Sequence, residues 1–221
     1  FYYVENDGVI YECKARGNFR KCGISPLVGD KVEFDITEGE KGIVNSILPR
    51  KNALVRPNVA NIDKLFIVSS YSTPAPNAFI IDKIAAIAEY NDIEPIIVFN
   101  KCDMGDFSSW ENIYKNAGFK TFTVSAEKGE GIDKILLELE GSVSAFTGNS
   151  GVGKSSILNC IFGNKNIETG AVSEKLGRGR HTTRHVELYC LEDNTFVADT
   201  PGFSSFDTDQ MDVMLKENLQ Y

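Results

Sequence analysis

The sequence predicts a mainly parallel α/β sheet with helices on both faces, preceded by a small all-β barrel. Three observations carry this. From Ile62 onward, apolar strand-like runs alternate with helical patterns, as a parallel sheet with crossover helices requires. Residues 1–50 hold only short strand-like runs divided by turns rich in Gly, Asn and Asp. Residues 148–155 read GNSGVGKS, a complete G-x-x-x-x-G-K-S phosphate-binding loop lying between an apolar strand and a helical run. With 221 residues and 42% hydrophobic content, the chain can bury one or two proper cores.

In chain order, strands are predicted at residues 2–4, 9–13, 31–34 and 42–44, all inside a first domain of residues 1–50. Residues 51–61 read as a polar linker carrying Pro57. The second domain runs from 62 to 221. Its clearest helix is the amphipathic stretch 77–88. Strands are predicted at 95–99, 121–124, 144–146 and 195–198, and a helix begins after Ser155. There is no internal repeat and no low-complexity tract.

The phosphate loop has a direct physical reading. Successive backbone N–H groups from Gly148, Asn149, Ser150, Gly151, Val152 and Gly153 form an anion nest at a helix N-terminus. Lys154 reaches the β- and γ-phosphates, Ser155 ligates Mg²⁺ through its hydroxyl, and Ser156 completes the candidate set.

The base is read upstream. Asn100-Lys101-Cys102-Asp103 follows the strand 95–99, at the carboxyl edge where open α/β sheets bind ligands. The two oxygens of Asp103 match the N1–H and the 2-amine of guanine; adenine offers neither donor, and a hydrogen-bonding site discriminates strongly against a ligand lacking the partner. Asn100 is expected to buttress the loop and the Lys101 stem to lie along the base plane. Ser125 and Ala126, ending the strand 121–124, supply a backbone N–H for the guanine oxygen. The next residue is Glu127, where related GTPases often have Lys. The ligand is therefore GTP rather than ATP.

Asp199-Thr200-Pro201-Gly202 closes the phosphate side: Asp199 is expected to hold Mg²⁺ through water, and the Gly202 N–H to sense the γ-phosphate. Between the two phosphate elements runs GRGRHTTR at 177–184, whose threonine ligates Mg²⁺ in the GTP state. Thr183 is favoured over Thr182.

The order of these motifs is unusual. The base readers precede the phosphate loop, whereas the common GTPase layout puts them last. A sheet site depends on which strand ends are adjacent in space, so joining neighbouring termini and opening the chain elsewhere preserves it. The segment after Gly202 then leads toward the C-terminal end and responds directly to nucleotide state.

The permuted order, the Gly-Arg-His-Thr-Thr-Arg stretch and Asp-Thr-Pro-Gly-Phe resemble the circularly permuted ribosome small-subunit-dependent GTPase A family, RsgA (YjeQ), over essentially the whole chain. The resemblance implies an OB-fold RNA-binding domain at 1–50 and a circularly permuted P-loop GTPase domain at 62–221. It also implies GTP hydrolysis to GDP and phosphate, stimulated by the small ribosomal subunit during its late maturation. The family carries a C-terminal zinc-binding domain built on a Cys/His cluster. These 221 residues hold no such cluster, so Zn²⁺ is expected only in a domain outside this sequence. Phe1 in place of an initiator Met suggests a trimmed N-terminus.

A net charge of −8 is an awkward total for an RNA-binding protein, but local distribution matters more than the sum. Lys14, Arg16, Arg20 and Lys21, with Phe19 among them, make a basic aromatic loop able to track a backbone and stack a base. Lys175, Arg178, Arg180 and Arg184 make the first switch basic as well. A solvated loop is the plainer alternative for residues 14–21. The expected partners are the small ribosomal subunit and its rRNA. Five cysteines with no C-x-x-C pair suit a reducing cytosol. No run is long enough to span a bilayer and no signal peptide is seen, so a cytoplasmic monomer is expected.

Hydrolysis poses a problem. Where many GTPases place a water-orienting Gln after the D-x-x-G glycine, this chain has Phe203. Isolated turnover should be slow, with His181 the candidate to organise water, as the resemblance also implies; His185 is a weaker candidate. A kinase or ATPase is disfavoured by the base-reading motifs, and a trafficking GTPase by the permutation. A GTP-dependent RNA-binding switch with incidental hydrolysis is the alternative.

Overall fold

In the computed structural model, which describes residues 1–17, 19, 24–54, 58–72, 74–164, 186–192 and 194–199, an all-β unit comes first. Strands β1 (Tyr2–Asn6), β2 (Val9–Ala15), β3 (Val32–Glu38) and β4 (Lys41–Ile47) lie in the order β1-β2-β4-β3. Asp7 and Gly8 turn the first hairpin with φ of 50° and 78°, the left-handed pair that a tight hairpin of this twist demands. β2 and β4 run parallel, and Cys13 and Val44 on them are buried.

Residues 51–61 differ from the polar linker the composition suggests. They form a ribbon of β5 (Ala53–Leu54) and β6 (Val59–Ala60), antiparallel, with Leu54, Val59 and Ala60 buried. Buried Asn52 imitates a strand neighbour: its Nδ2 donates to Ile62 O at 2.7 Å while its Oδ1 accepts from Ile62 N at 2.9 Å. Asn61 Nδ2 donates to Gly29 O at 2.9 Å, and Val28 bridges Val59. Polar side chains here replace backbone partners, a use composition does not distinguish from solvation. Beyond the ribbon, Lys51 pairs with Asp63 Oδ1 at 2.9 Å, and Asp63 Oδ2 accepts from Val143 N at 2.9 Å. Burial pushes the Asp63 carboxyl up, but these bonds outweigh it and hold it below its ordinary value.

The second sheet is β7 (Lys64–Ser70), β8 (Glu94–Asn100), β9 (Lys120–Thr123), β10 (Val143–Thr147), β11 (Glu187–Glu192) and β12 (Thr195–Asp199). Its order is β11-β12-β10-β7-β8-β9, parallel throughout except for β11. Period-two alternation splits its core. Leu65, Ile67, Ile97 and Phe99 meet α1 (Ala78–Tyr90) and α2 (Ser108–Asn116) on one face. Phe66, Val68, Ile96 and Val98 meet α3 (Ile132–Leu139) and α4 (Lys154–Asn164) on the other. The predicted amphipathic helix starts where Asn77 caps it, accepting from Ile80 N at 3.3 Å, and buries Ile81, Ile84, Ala85 and Ala88 at helical spacing. Phe66 stacks on Phe146 at 4.7 Å between centroids, tying β7 to the strand that feeds the phosphate loop. Truncating a fully buried core side chain such as Ile97 costs about 2–5 kcal/mol.

Candidate nucleotide site

Register brings the motifs to one edge. Ser70 pairs with Asn100 and Thr147 with Ile67, so the base-reading turn and the phosphate loop leave the sheet at the same edge, from β8 and β10 on either side of β7. β12 ends at Asp199 beside β10, which puts the backbone of the D-x-x-G aspartate at that edge too. Its side chain, together with His181, Thr182, Thr183, Gly202 and Phe203, lies outside the described residues, as do Arg20 and Lys21 of the basic loop.

The phosphate loop is a cradle because its glycines are irreplaceable. Gly148 has φ +143°, and a Cβ there would stand 2.1 Å from Val68 O. Gly153 has φ +94°, and its Cβ would stand 2.2 Å from Asn100 Nδ2. Lys154 opens α4 and folds back, its Nζ donating to Gly148 O at 2.5 Å and Asn149 O at 3.0 Å. It meets no carboxylate among the described residues, and burial lowers its pKa. A half-buried ammonium held only by carbonyls, inside a loop too tight for side chains, fits a polyanion such as a nucleotide phosphate tail. Ser155 and Ser156 sit exposed on the first turn of α4. Hard oxygen donors of the Ser155 and Asp199 kind suit Mg²⁺.

The base-reading turn is locked to this cradle. Asn100 is 2% exposed; its Nδ2 donates to Val152 O at 2.9 Å while its Oδ1 accepts from Ala126 N at 3.1 Å. One side chain thus holds both loops. Lys101, at φ 65°, also reaches the phosphate loop, donating to Gly151 O at 2.8 Å. Asp103 is exposed and accepts at Oδ1 from the Ser125 hydroxyl at 2.6 Å. That bond, with help from the Lys128 and Lys101 charges, holds its carboxyl below the ordinary value, so it is an acceptor at neutral pH.

Sequence reasoning missed two parts of this arrangement. It valued Ser125 for its backbone, but Ser125 N donates to Glu130 O at 3.0 Å and Ala126 N to Asn100; the Ser125 hydroxyl is what acts on Asp103. It also noted the loss of Lys at Glu127 without weighing Lys128, whose charge acts on Asp103 from one position later. Two of the described RNA candidates make contacts of their own. Lys14 on β2 places its Nζ over the Phe1 ring, 5.6 Å from the centroid, and Arg16 pairs with Asp35 at 3.7 Å across exposed surface. Among the described residues no cluster of His, Cys, Asp and Glu could hold a metal, and no helix is long and apolar enough to cross a membrane.

A phosphate cradle, a guanine-type turn and a base-first order on one parallel sheet define a narrow group of proteins. The RsgA GTPase family profile matches residues 47–209, and the RsgA N-terminal domain profile matches residues 1–44. The chain belongs to the RsgA GTPase family. It is similar to the small ribosomal subunit biogenesis GTPase RsgA of Caldanaerobacter subterraneus subsp. tengcongensis, 47% identical over 95% of this chain and 72% of the relative. The RsgA of Clostridium kluyveri is 43% identical over all of this chain and 76% of its own length. Among solved structures, YjeQ from Thermotoga maritima superposes with a TM-score of 0.74 at 33% identity, covering 91% of this chain and 70% of that one. YloQ, described as a circularly permuted GTPase, gives 0.71 at 32% identity over 95% and 70%. This RsgA-family chain is therefore a circularly permuted GTPase with an N-terminal all-β unit of the OB-fold type.

Proposed function

We propose that this RsgA-family enzyme binds GTP across the two loop systems and hydrolyses it when it meets the small ribosomal subunit, during maturation of that subunit. The observation that carries the reading is the pair of hydrogen bonds made by Asn100, one donated to Val152 O at 2.9 Å and one accepted from Ala126 N at 3.1 Å, which tie the two loops together. Relatives at 47% and 43% identity bear the name of small ribosomal subunit biogenesis GTPases, which supports the partner.

Lys154 and the nest from Gly148 to Gly153 take the phosphates, with Gly202 on the γ-phosphate side. Asp103 accepts the N1–H and 2-amine of guanine. Ser155, Asp199 and Thr183 (or Thr182) would hold Mg²⁺, which when bound neutralises charge developing on the phosphate oxygens. His181 orients the attacking water in place of the Gln that Phe203 displaces. Residues 1–50 are the RNA-facing unit through Lys14, Arg16, Phe19, Arg20 and Lys21, residues 51–61 join it to the catalytic unit at 62–221, and a zinc-binding domain belongs beyond this sequence.

The test is GTP hydrolysis with and without purified small ribosomal subunits. Strong stimulation, abolished in His181→Ala with GTP affinity nearly intact, is the expected result. Bound GTP with no stimulation would replace this reading by a GTP-dependent RNA-binding switch.

A further inference from the structure

The helix behind the phosphate loop reaches the base-reading loop through one thiol. Cys160, half-buried on α4, donates from Sγ to Ala126 O at 3.2 Å. The loop it touches, residues 125–130, is closed by reciprocal bonds of 3.0 Å between Ser125 and Glu130. Within it, Ser125 N–H goes to Glu130 O, Ala126 N–H to Asn100 Oδ1 and Lys128 N–H to the Ser125 hydroxyl. Glu127 N–H has no acceptor among the described residues.

Ala126 C=O and Glu127 N–H belong to one planar trans peptide unit, so they point in opposite directions. By drawing the carbonyl toward α4, Cys160 turns the Glu127 N–H away from that helix. Asp103 is an acceptor and can satisfy only the donor groups of guanine; the 6-oxygen needs a donor, and the two preceding N–H groups of the loop are engaged. We propose that Cys160 is a positioning residue that aims the Glu127 N–H at the 6-oxygen of guanine, and so sets base specificity from the phosphate-loop helix. The proposal rests on the guanine reading above.

The test compares wild type, Cys160→Ala and Cys160→Ser in affinity for GDP, 6-thio-GDP and ADP. 6-Thio-GDP keeps the edge that Asp103 reads but replaces the oxygen by a poor acceptor. Cys160→Ala is expected to weaken GDP by roughly three- to tenfold, the range of one net hydrogen bond, and 6-thio-GDP much less. Cys160→Ser, which keeps a donor, should restore the GDP advantage. The Glu127 amide proton, followed by NMR, should shift downfield with GDP in wild type and not in Cys160→Ala. Equal losses for both guanine ligands, or no loss, would overturn the proposal while leaving the guanine reading intact. A wild-type protein that does not prefer GDP to ADP would overturn the guanine reading itself, and this inference with it.

Discussion

On the base side of the site, side chains do the holding. The Ser125 hydroxyl binds Asp103, Asn100 binds Ala126 N, and Cys160 binds Ala126 O. On the phosphate side the main chain sets the shape: glycines at positive φ turn the loop, and Lys154 rests on two of its carbonyls while Lys101 reaches in to Gly151 O. The difference has a consequence for mutation. A site built from side chains changes its preference one residue at a time while the fold persists. A site built from backbone conformation loses affinity for any ligand when a glycine is lost, because the shape itself fails.

Lys154→Ala breaks the phosphate side hardest. It removes the ammonium that opens α4 inside the cradle, so GTP and GDP should both weaken by roughly two orders of magnitude or more, read by calorimetry. The same lysine predicts a pH effect. Burial lowers its pKa in the free protein and a phosphate partner raises it again, so binding takes up a proton in the alkaline range. GDP affinity should fall as pH rises toward and through 10.5 in wild type and stay flatter in Lys154→Ala.

Gly153→Ala comes next and crosses the divide. The new methyl meets Asn100 Nδ2, whose side chain is buried and bonded, at a φ of +94°. Strain of about 1–3 kcal/mol should lower the Tm, and the loss of the Asn100 clamp should weaken guanine selection as well as phosphate affinity. If selection survived unchanged, the two sides would be independent.

Asp103→Asn tests the base side alone. The preference for GDP over ADP should fall by about a hundredfold or more with the melting temperature little changed, because the residue is exposed and Asn keeps an Oδ1 that can accept from the Ser125 hydroxyl. Ser125→Ala should do least, a loss of roughly three- to fivefold in that preference. Its sharper signature is in pH. The Ser125 bond is the largest influence holding the Asp103 carboxyl down, so without it the acid limb of guanine binding should move up toward 3.8. An unmoved limb would assign that role to the Lys128 and Lys101 charges.

Most strands and helices were legible, because continuous apolar runs such as Pro95 to Phe99 and capped amphipathic runs such as that after Asn77 announce themselves locally. The ribbon at 51–61 was not, since Asn52 and Asn61 serve as backbone surrogates and read as solvent-facing. The loop motifs were legible as motifs; the hydroxyl of Ser125, the charge of Lys128 and the thiol of Cys160 were not, because each acts through a contact that only packing makes.

By itself the sequence determined the chemistry of each loop. The phosphate-loop glycines, Lys154 and the Asn100–Asp103 turn are each set within a short stretch, where chain geometry leaves little choice, and the order of the stretches along the chain is the permuted one. Tertiary structure alone decided that the stretches meet. The pairing of Thr147 with Ile67 and of Ser70 with Asn100 places two loops on one edge, and Asn100 then locks them together. Register between parallel strands depends on contacts between residues far apart in the chain, and local periodicity carries no record of them.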